Sequence, residues 1–121
     1  MSVNVVSLTE KFGKLNVQNE IKIIAQMNNY HFKIVKLNRE NIWHAHDDTD
    51  EAFLIIDGEL EIALRDKILK LKANEMVVIP RGVEHRPKSI GECKIMLIEP
   101  AGTLNTGNTV GSSTERGENW I

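Results

Sequence analysis

The strongest constraint on the fold is a succession of short β-type runs, each bounded by residues that favour turns. In the run Glu59 to Arg65, for example, apolar and charged residues alternate, as expected of a strand with one face in a core and one in water. Many short strands at close spacing predict an all-β fold, either an antiparallel sandwich or a barrel. The runs are Ile21 to Met27, Tyr30 to Leu37, Ile42 to His46, Ala52 to Ile56, Glu59 to Arg65, Ile68 to Lys72, Met76 to Ile79 and Cys93 to Ile98.

Two turns and one helix can also be placed. Asp57-Gly58 lies between two apolar runs and predicts a two-residue hairpin, because that turn needs positive φ angles, which Asp and Gly tolerate. Asp66-Lys67 predicts a second hairpin. Near the N-terminus, Ser7 and Glu10 have the spacing of a capping box. A short helix is therefore predicted there, with one apolar face made of Leu8, Phe12 and Leu15.

The length of the chain fits one domain. With 121 residues and a mass of 13.7 kDa, it has the size of a single domain with one core. We expect an N-terminal helix and lead-in over residues 1–20, a barrel over 21–100 and a C-terminal tail over 101–121. Trp120 and Ile121 end the tail, and either they hold it to the domain or the end is exposed.

Charge and cysteine content narrow the partners and the compartment. The net charge is -2 and the pI about 6.1, with lysines interspersed among acids, so neither nucleic acid nor a membrane is expected as a partner. The first residues lack the apolar centre of a signal peptide, and no apolar run approaches the roughly 18 residues of a membrane span. The single cysteine, Cys93, cannot form an internal disulfide, so we expect a cytoplasmic protein.

One strand predicts contact with a second subunit. Along Glu51 to Ile56 both sets of alternating residues are apolar, and one set is Ala52, Leu54 and Ile56. A second sheet of the same chain covers only one face of that strand. We therefore expect a homodimer that packs over this set through a two-fold interface. The alternative is that the N-terminal helix covers the same face.

Three histidines and one glutamate form a candidate metal site. His44 and His46 are two residues apart, so on a strand they project from the same face, roughly 6 to 7 Å apart at the backbone. Glu51 opens the next apolar run, and His85 follows much later in the segment IPRGVEHRP. Imidazole nitrogens with one carboxylate suit Fe, Mn, Co, Ni, Cu or Zn, whereas Ca and Mg prefer oxygen ligands. The pattern therefore predicts one divalent transition-metal ion as a cofactor.

These residues resemble the two sequence motifs of the cupin superfamily. The first motif is matched by His44, His46, Glu51 and Gly58, and the second by Pro80, Gly82 and His85. The chain departs from the motifs at three other positions, where the family has two glycines and an asparagine and this chain has Asn38, Asn74 and Ser89. The resemblance covers most of the chain. Within the superfamily, the chain is similar to a subgroup of small single-domain cupins that are labelled mannose-6-phosphate isomerase-like and have no assigned reaction.

The resemblance implies a cupin double-stranded β-helix, a jelly-roll barrel with a short N-terminal helix, in which the four residues bind the metal. It also favours an enzyme that acts on a small molecule, either a dioxygenase or an isomerase or lyase. The alternative is a non-catalytic module that binds metal and a small ligand. In an enzyme, Glu51 could detach from the metal and serve as a catalytic base, although a ligand carboxylate with a lowered pKa is a poor base.

Other residues near the motifs are assigned lesser roles. The pocket above the metal is expected to have apolar walls from Phe53, Ile55 and the inward residues of Cys93 to Ile98. Arg81 and Arg86 flank the His85 turn, where they hold either a substrate carboxylate or phosphate, or a surface ion pair. Structural or solvated positions are expected for His31, Asp47, Asp48, Asp50 and Cys93.

Overall fold

One helix and seven strands make up the computed structural model, which describes residues 2–103 and 118–121. The helix α1 spans Leu8–Gly13; the strands are β1 (Lys22–Met27), β2 (Tyr30–Leu37), β3 (Glu51–Ala63), β4 (Ile68–Lys72), β5 (Met76–Ile79), β6 (Arg86–Pro100) and β7 (Asn119–Trp120). The predicted all-β class with one short helix is confirmed. Within the described ranges, no helix is long and apolar enough to cross a membrane.

Two long strands, β3 and β6, build both layers of the fold. They pair with each other along almost their whole length. The first half of β3 also pairs with β5, and its second half pairs with β4, so each half belongs to a different layer. Strands β2, β1 and β7 extend the first layer beyond β6. The result is a single seven-stranded sheet that folds over its own core without closing into a complete barrel.

The hairpin predicted at Asp57-Gly58 is wrong, because β3 runs through these residues. The pairing of β3 with β6 shifts register between Ile55 and Asp57, and again between Asp57 and Glu59. Gly58 has a φ of 91°, which is a conformation that other residues rarely adopt. Asp57 and Gly58 therefore form a β-bulge and not a turn. The bulge lies at the corner where β3 passes from one layer to the other.

Other boundaries differ less from the prediction. The run Ile42 to His46 is not a strand, since only His44 pairs, through an isolated bridge with His85. A turn joins β3 and β4 near the predicted Asp66-Lys67 but one residue earlier, at Arg65-Asp66, because the Leu64 amide donates to the Lys67 carbonyl at 2.7 Å and closes the turn there. Helix α1 begins where the capping box places it, and the Ser7 hydroxyl accepts a hydrogen bond from the Glu10 amide at 3.2 Å.

The core lies between the two layers, and a smaller cluster lies under α1. The main cluster joins side chains from both layers: Val35, Leu37, Phe53, Ile55, Leu60, Ile62, Leu71, Ile79, Cys93, Ile95 and Leu97. On the outer face, Ile56 packs against a second cluster that includes Phe12 and Leu15. The helix thus covers one end of the face for which a second subunit was predicted. Ala52 and Leu54 lie outside that cluster and stay partly exposed.

The C-terminus is tied to the domain. β7 pairs in parallel with β1, and the Ile121 amide donates to the Ile23 carbonyl at 3.1 Å. The ammonium group of Lys11 donates to the Ile121 carbonyl at 2.7 Å, and Trp120 meets the ring of His31 edge-on. Of the tail expected over residues 101–121, positions 104–117 lie outside the described residues.

Replacement of Gly58 by alanine tests the corner in β3. A Cβ atom at Gly58 would lie 2.8 Å from the carbonyl oxygen of Glu92, in addition to the strain of the positive φ. We expect Gly58→Ala to lower the free energy of unfolding by about 2 kcal/mol or more. Gly13→Ala is the matched control, because nothing lies within 4 Å of its Cβ position. Urea denaturation measures both, and an equal effect of the two substitutions would contradict the assignment of a strained corner.

Candidate metal centre

Four side chains from three separate segments meet inside the barrel. Their ligand atoms, from His44, His46, Glu51 and His85, all lie within 4.8 Å of one another. All four residues are buried, and none is more than 4% exposed. Sequence reasoning named the same four residues, and the fold brings them together at one point.

Backbone hydrogen bonds hold the segments that carry these ligands. His44 and His85 exchange two amide-to-carbonyl bonds, of 3.0 and 2.9 Å. The carbonyl of His46 accepts from the Gly82 amide at 2.8 Å, and Gly82 has a φ of 79°. Glu51 begins β3 and pairs with Ile79 at the end of β5. The loop before β3 and the turn before β6 are therefore fixed face to face, and their side chains converge.

The protonation of two imidazoles is set by backbone carbonyls. His44 donates from Nδ1 to the carbonyl of Ile42 at 2.8 Å, and His85 donates from Nδ1 to the carbonyl of Val83 at 2.9 Å. A carbonyl only accepts, so the proton in each ring is on Nδ1. The lone pair of Nε2 is then left for a bond toward the centre of the cluster, as in histidines that bind metals.

The carboxylate of Glu51 lies between two of these rings. Its Oε1 atom is 3.2 Å from Nε2 of His46 and 3.3 Å from Nε2 of His85. Because Nδ1 of His85 already holds a proton, its Nε2 and the Glu51 oxygen face each other as two acceptors. A positive centre must lie between them, either a further proton or a metal ion. Two ligand atoms bonded at about 2.1 Å to one ion are about 3.2 Å apart when they subtend about 100°, so the donor set fits a metal ion.

Burial and hydrogen bonding shift the acidity of the cluster. Burial alone would raise the pKa of Glu51, but the hydrogen bonds from His46 and His85 and their charge outweigh it and lower that pKa to about 2. Burial lowers the pKa of His44 to about 4, against the opposing effect of its bond to Ile42. At neutral pH the site therefore offers an ionised carboxylate and, at His44, a neutral imidazole.

A second buried carboxylate, Glu99, lies beside Glu51 and was missed from the sequence. It follows Ile98, which pairs with Ala52, so the two glutamates are neighbours across β6 and β3. Glu99 is fully buried, and neither of its oxygens has a hydrogen-bond partner among the described residues. Burial and the charge of Glu51 raise the pKa of Glu99 well above its usual range. The alternation from Cys93 to Glu99 could have indicated that Glu99 points inward.

Lys33 accompanies Glu99 in the interior. Its ammonium nitrogen is fully buried, lies 3.8 Å from Glu99, and forms a closer ion pair with Glu118. Glu118 immediately precedes β7, so the charge of Lys33 ties the C-terminal segment to the barrel. Sequence reasoning did not predict this buried group of Lys33, Glu99 and Glu118.

The remaining candidates lie away from the cluster. Arg81 is 3.7 Å from Asp50, and Arg86 is 3.6 Å from Glu40, so both arginines form exposed or half-exposed ion pairs. Cys93 is part of the main core. The other residues for which structural or solvated roles were expected are His31, against Trp120, and the exposed Asp47 and Asp48.

A cavity of about 40 Å³ leads from the cluster toward solvent. Its walls include Phe53 and the inward residues of β6, as expected, whereas Ile55 belongs to the core and does not line it. Three polar residues that sequence reasoning missed complete it. The full lining is Asn19, Ile21, Val35, Leu37, Arg39, Asn41, His44, Glu51, Phe53, Pro87, Ile95 and Leu97.

Comparisons with known proteins agree with this fold. The Cupin domain family matches residues 32–99. An uncharacterized Bacillus subtilis protein, YdbB, is 37% identical over 82 residues, which are 62% of this chain and 73% of YdbB. The crystal structure of a cupin-2 domain containing protein from Shewanella frigidimarina is 50% identical, with a TM-score of 0.78 over 79% of this chain and 94% of that chain. Protein NMB1881 from Neisseria meningitidis is 26% identical, with a TM-score of 0.74 over 80% and 99% of the two chains.

The pKa of His44 predicts how the metal-free protein responds to acid. In the unfolded chain His44 takes up a proton near pH 6.5, but in the folded protein only near pH 4. The unfolded state thus binds more protons between these values, so stability falls as the pH is lowered from 6.5 to 4, by about 3 kcal/mol. The variant His44→Asn keeps a hydrogen-bond donor for the Ile42 carbonyl but has no imidazole. We expect its stability to decrease much less than that of the parent protein over the same pH range. Urea denaturation at several pH values measures it, and an undiminished fall in the variant would assign it to other groups.

Proposed function

We propose a function for this chain from the fact that it belongs to the cupin family, which the match over residues 32–99 shows. The proposed function is that of a metal-dependent enzyme that acts on a small molecule at one divalent transition-metal ion. His44, His46, Glu51 and His85 are its proposed ligands. Candidate ions are Fe, Mn, Co, Ni, Cu and Zn, because the donor set is three imidazoles and one carboxylate.

The observation that carries the proposal is the approach of Glu51 to His85. Nε2 of His85 and Oε1 of Glu51 are 3.3 Å apart, while the Nδ1 proton of His85 is committed to Val83. Without a metal ion, a second proton is needed on this buried ring. One metal ion supplies the positive centre for both residues, and also accepts the lone pairs of His44 and His46.

The residues around the cluster determine which chemical groups a reaction at the metal could use. A bound ion would supply Lewis acidity or, if it is redox-active, activation of oxygen. Glu51, with its lowered pKa, holds the ion and is a poor proton acceptor. Burial raises the pKa of Glu99, so this carboxyl beside Glu51 holds a proton more readily than an ordinary glutamate does. The apolar cavity wall lies beside His44 and Glu51, where the apolar part of a substrate would pack.

Two classes of reaction suit this arrangement. Oxygen chemistry of the dioxygenase type uses a redox-active ion and a substrate that chelates it. Isomerisation or lyase chemistry uses the ion only as a Lewis acid. The mannose-6-phosphate isomerase-like subgroup that the chain resembles has no assigned reaction, so it does not choose between the two classes. We propose the enzyme over a non-catalytic binding module because a cavity lined by His44 and Glu51 gives a small molecule access to the cluster.

We propose the cytoplasm as the compartment of this enzyme. Its one cysteine, Cys93, is free and buried in the core, and burial raises the pKa of the thiol to about 11, so it is protected and unreactive. The balance of charges along the chain gives no reason to add nucleic acid or a membrane as a partner.

We also propose a homodimer, formed over the outer face of β5, β3 and β6. Two rows of apolar residues cross these strands in register: Val78, Ala52 and Ile98 in one, and Met76, Leu54 and Met96 in the other. Val78 is 51% and Met76 57% exposed, whereas Ile56 and Met96 pack against the cluster that includes Phe12 of helix α1. The rows carry no charge, which suits self-pairing about a two-fold axis.

Substitution of Val78 by aspartate tests the dimer. A charge in the middle of an apolar interface has no partner there, so we expect Val78→Asp to be a monomer where the parent protein is a dimer. Ile68→Asp is the matched control, because Ile68 is 59% exposed but lies on β4 in the other layer. Sedimentation equilibrium measures the mass. A monomeric parent protein, or a dimer that persists in Val78→Asp, would contradict this interface.

Titration of the metal-free protein with Zn(II) tests the metal site. We expect one ion per chain, with release of protons that the ion displaces. We expect His46→Ala to weaken binding by more than about 100-fold, since it removes a ligand. His31→Ala is the control, because His31 is the one histidine outside the cluster. Isothermal titration calorimetry in buffers of different ionisation enthalpy measures both quantities, and unchanged affinity in His46→Ala would refute the site.

The same variants separate the enzyme from the binding module. The Fe(II)-loaded protein is incubated with small diketones, thiols and sugar acids, and oxygen uptake and products are measured. Turnover that is lost in His46→Ala and kept in His31→Ala supports the enzyme. Tight binding of a compound without conversion supports the binding module instead.

A further inference from the structure

Three polar residues outside the metal cluster line the cavity, and their greater exposure places them toward its outer end. Arg39 is exposed, whereas Asn19 and Asn41 are partly buried, and all three line the cavity that reaches His44 and Glu51. The two polar residues at the inner end of the cavity, His44 and Glu51, are both proposed metal ligands. The polar side chains left over for a ligand are therefore those at the outer end.

The two asparagines offer donors rather than acceptors. Oδ1 of Asn19 accepts a hydrogen bond from the Asn38 amide at 2.8 Å, and Oδ1 of Asn41 accepts from the Ile42 amide at 2.9 Å. Because a backbone amide can only donate, these bonds also fix which end of each side chain is the oxygen. Within residues 2–103 and 118–121, neither Nδ2 group has a hydrogen-bond partner, so both remain for a ligand.

Arg39 differs from the other arginines of the described residues. Arg65 pairs with Glu84, Arg81 with Asp50 and Arg86 with Glu40. Arg39 makes no ion pair within these ranges, although its backbone is firmly held. Its amide donates to the Ser89 hydroxyl at 2.9 Å, and its carbonyl accepts from the Ser89 amide at 3.1 Å. A guanidinium with a fixed base and no partner, at the mouth of a cavity, is suited to bind a carboxylate.

We infer that the ligand of this site is a small organic acid whose carboxylate binds Arg39, Asn19 and Asn41 while an oxygen at its other end reaches the metal centre. The inference rests on the proposed function, since the metal is the second anchor. The walls between the two ends are apolar, which suits a short carbon chain. The cavity of about 40 Å³ encloses only part of such a ligand, so the carboxylate lies at its open end, beside the exposed Arg39.

The test uses two compounds of nearly equal size and different charge. Succinylacetone has a diketone that chelates metal ions and a carboxylate at its other end, and its methyl ester lacks the charge. Binding of both to the Zn(II)-loaded protein is measured by calorimetry. We expect the acid to bind the parent protein about 10- to 100-fold more tightly than the ester, as a charge-assisted contact provides.

Three variants assign that difference to the outer donors. Arg39→Gln is expected to remove the preference for the acid and to leave the affinity for the ester unchanged. Arg39→Lys keeps a positive charge and is expected to retain part of the preference. Asn41→Asp keeps the acceptor for the Ile42 amide and replaces the Nδ2 donor with a charged oxygen. We therefore expect it to lower the affinity for the acid and not that for the ester. Arg81→Gln is the control, since Arg81 does not line the cavity and is expected to change neither affinity.

Each outcome bears on a different part of the account. Equal affinity of acid and ester for the parent protein, or an unchanged preference in Arg39→Gln, would overturn the carboxylate site and leave the metal site intact. Binding of neither compound to a protein that holds Zn(II) would contradict the proposed substrate position as well as the carboxylate site. Displacement of the acid by inorganic phosphate at concentrations where acetate has no effect would assign the donors to a phosphate group and overturn the choice of a carboxylate.

Discussion

The structure depends on one buried interaction, the placement of an ionised carboxylate, that of Glu51, between the imidazoles of His46 and His85, the second of which already donates its Nδ1 proton to the backbone. Oε1 of Glu51 is 3.2 and 3.3 Å from the Nε2 atoms of His46 and His85. A carboxylate in such an interior is unfavourable unless a positive centre accompanies it. The reciprocal backbone bonds between His44 and His85 hold this arrangement together even though neither residue lies in a long strand. The rest of the barrel serves to bring three distant segments to that point.

The long strands β3 and β6 explain how so small a domain achieves this. Each passes from one layer to the other, and Gly58 allows β3 to do so where another residue would meet the carbonyl of Glu92. One half of β3 carries Glu51 and Phe53 toward the cavity, and the other half supplies Leu60 and Ile62 to the core beneath. The same strand thus provides the site and the packing that supports it. The outer end of the cavity is built differently, by loops whose amide and hydroxyl groups hold one another.

Sequence reasoning predicted the components that depend on local pattern and missed those that depend on packing between strands. Alternation placed β2, β4 and β5 at their observed bounds, and motif spacing named the four residues of the cluster. Asp57-Gly58 was misassigned as a turn because a tight hairpin and a bulge favour the same residue types, and only the pairing with β6 distinguishes them. Alternation could indicate that Glu99 points inward, but its importance depends on its strand neighbour Glu51, and that of Arg39 on the lack of an ion partner among the described residues.

The most direct test of the central claim is a crystal structure of the metal-loaded protein, with diffraction data recorded at the absorption edge of the bound ion. The account predicts one anomalous peak per chain, about 2.0 to 2.2 Å from Nε2 of His44, His46 and His85 and from a carboxylate oxygen of Glu51. It also predicts that the Nδ1 atoms of His44 and His85 remain bonded to the carbonyls of Ile42 and Val83. A peak outside this cluster, or a loaded protein in which Glu51 and the rings stay bonded only to one another, would contradict it.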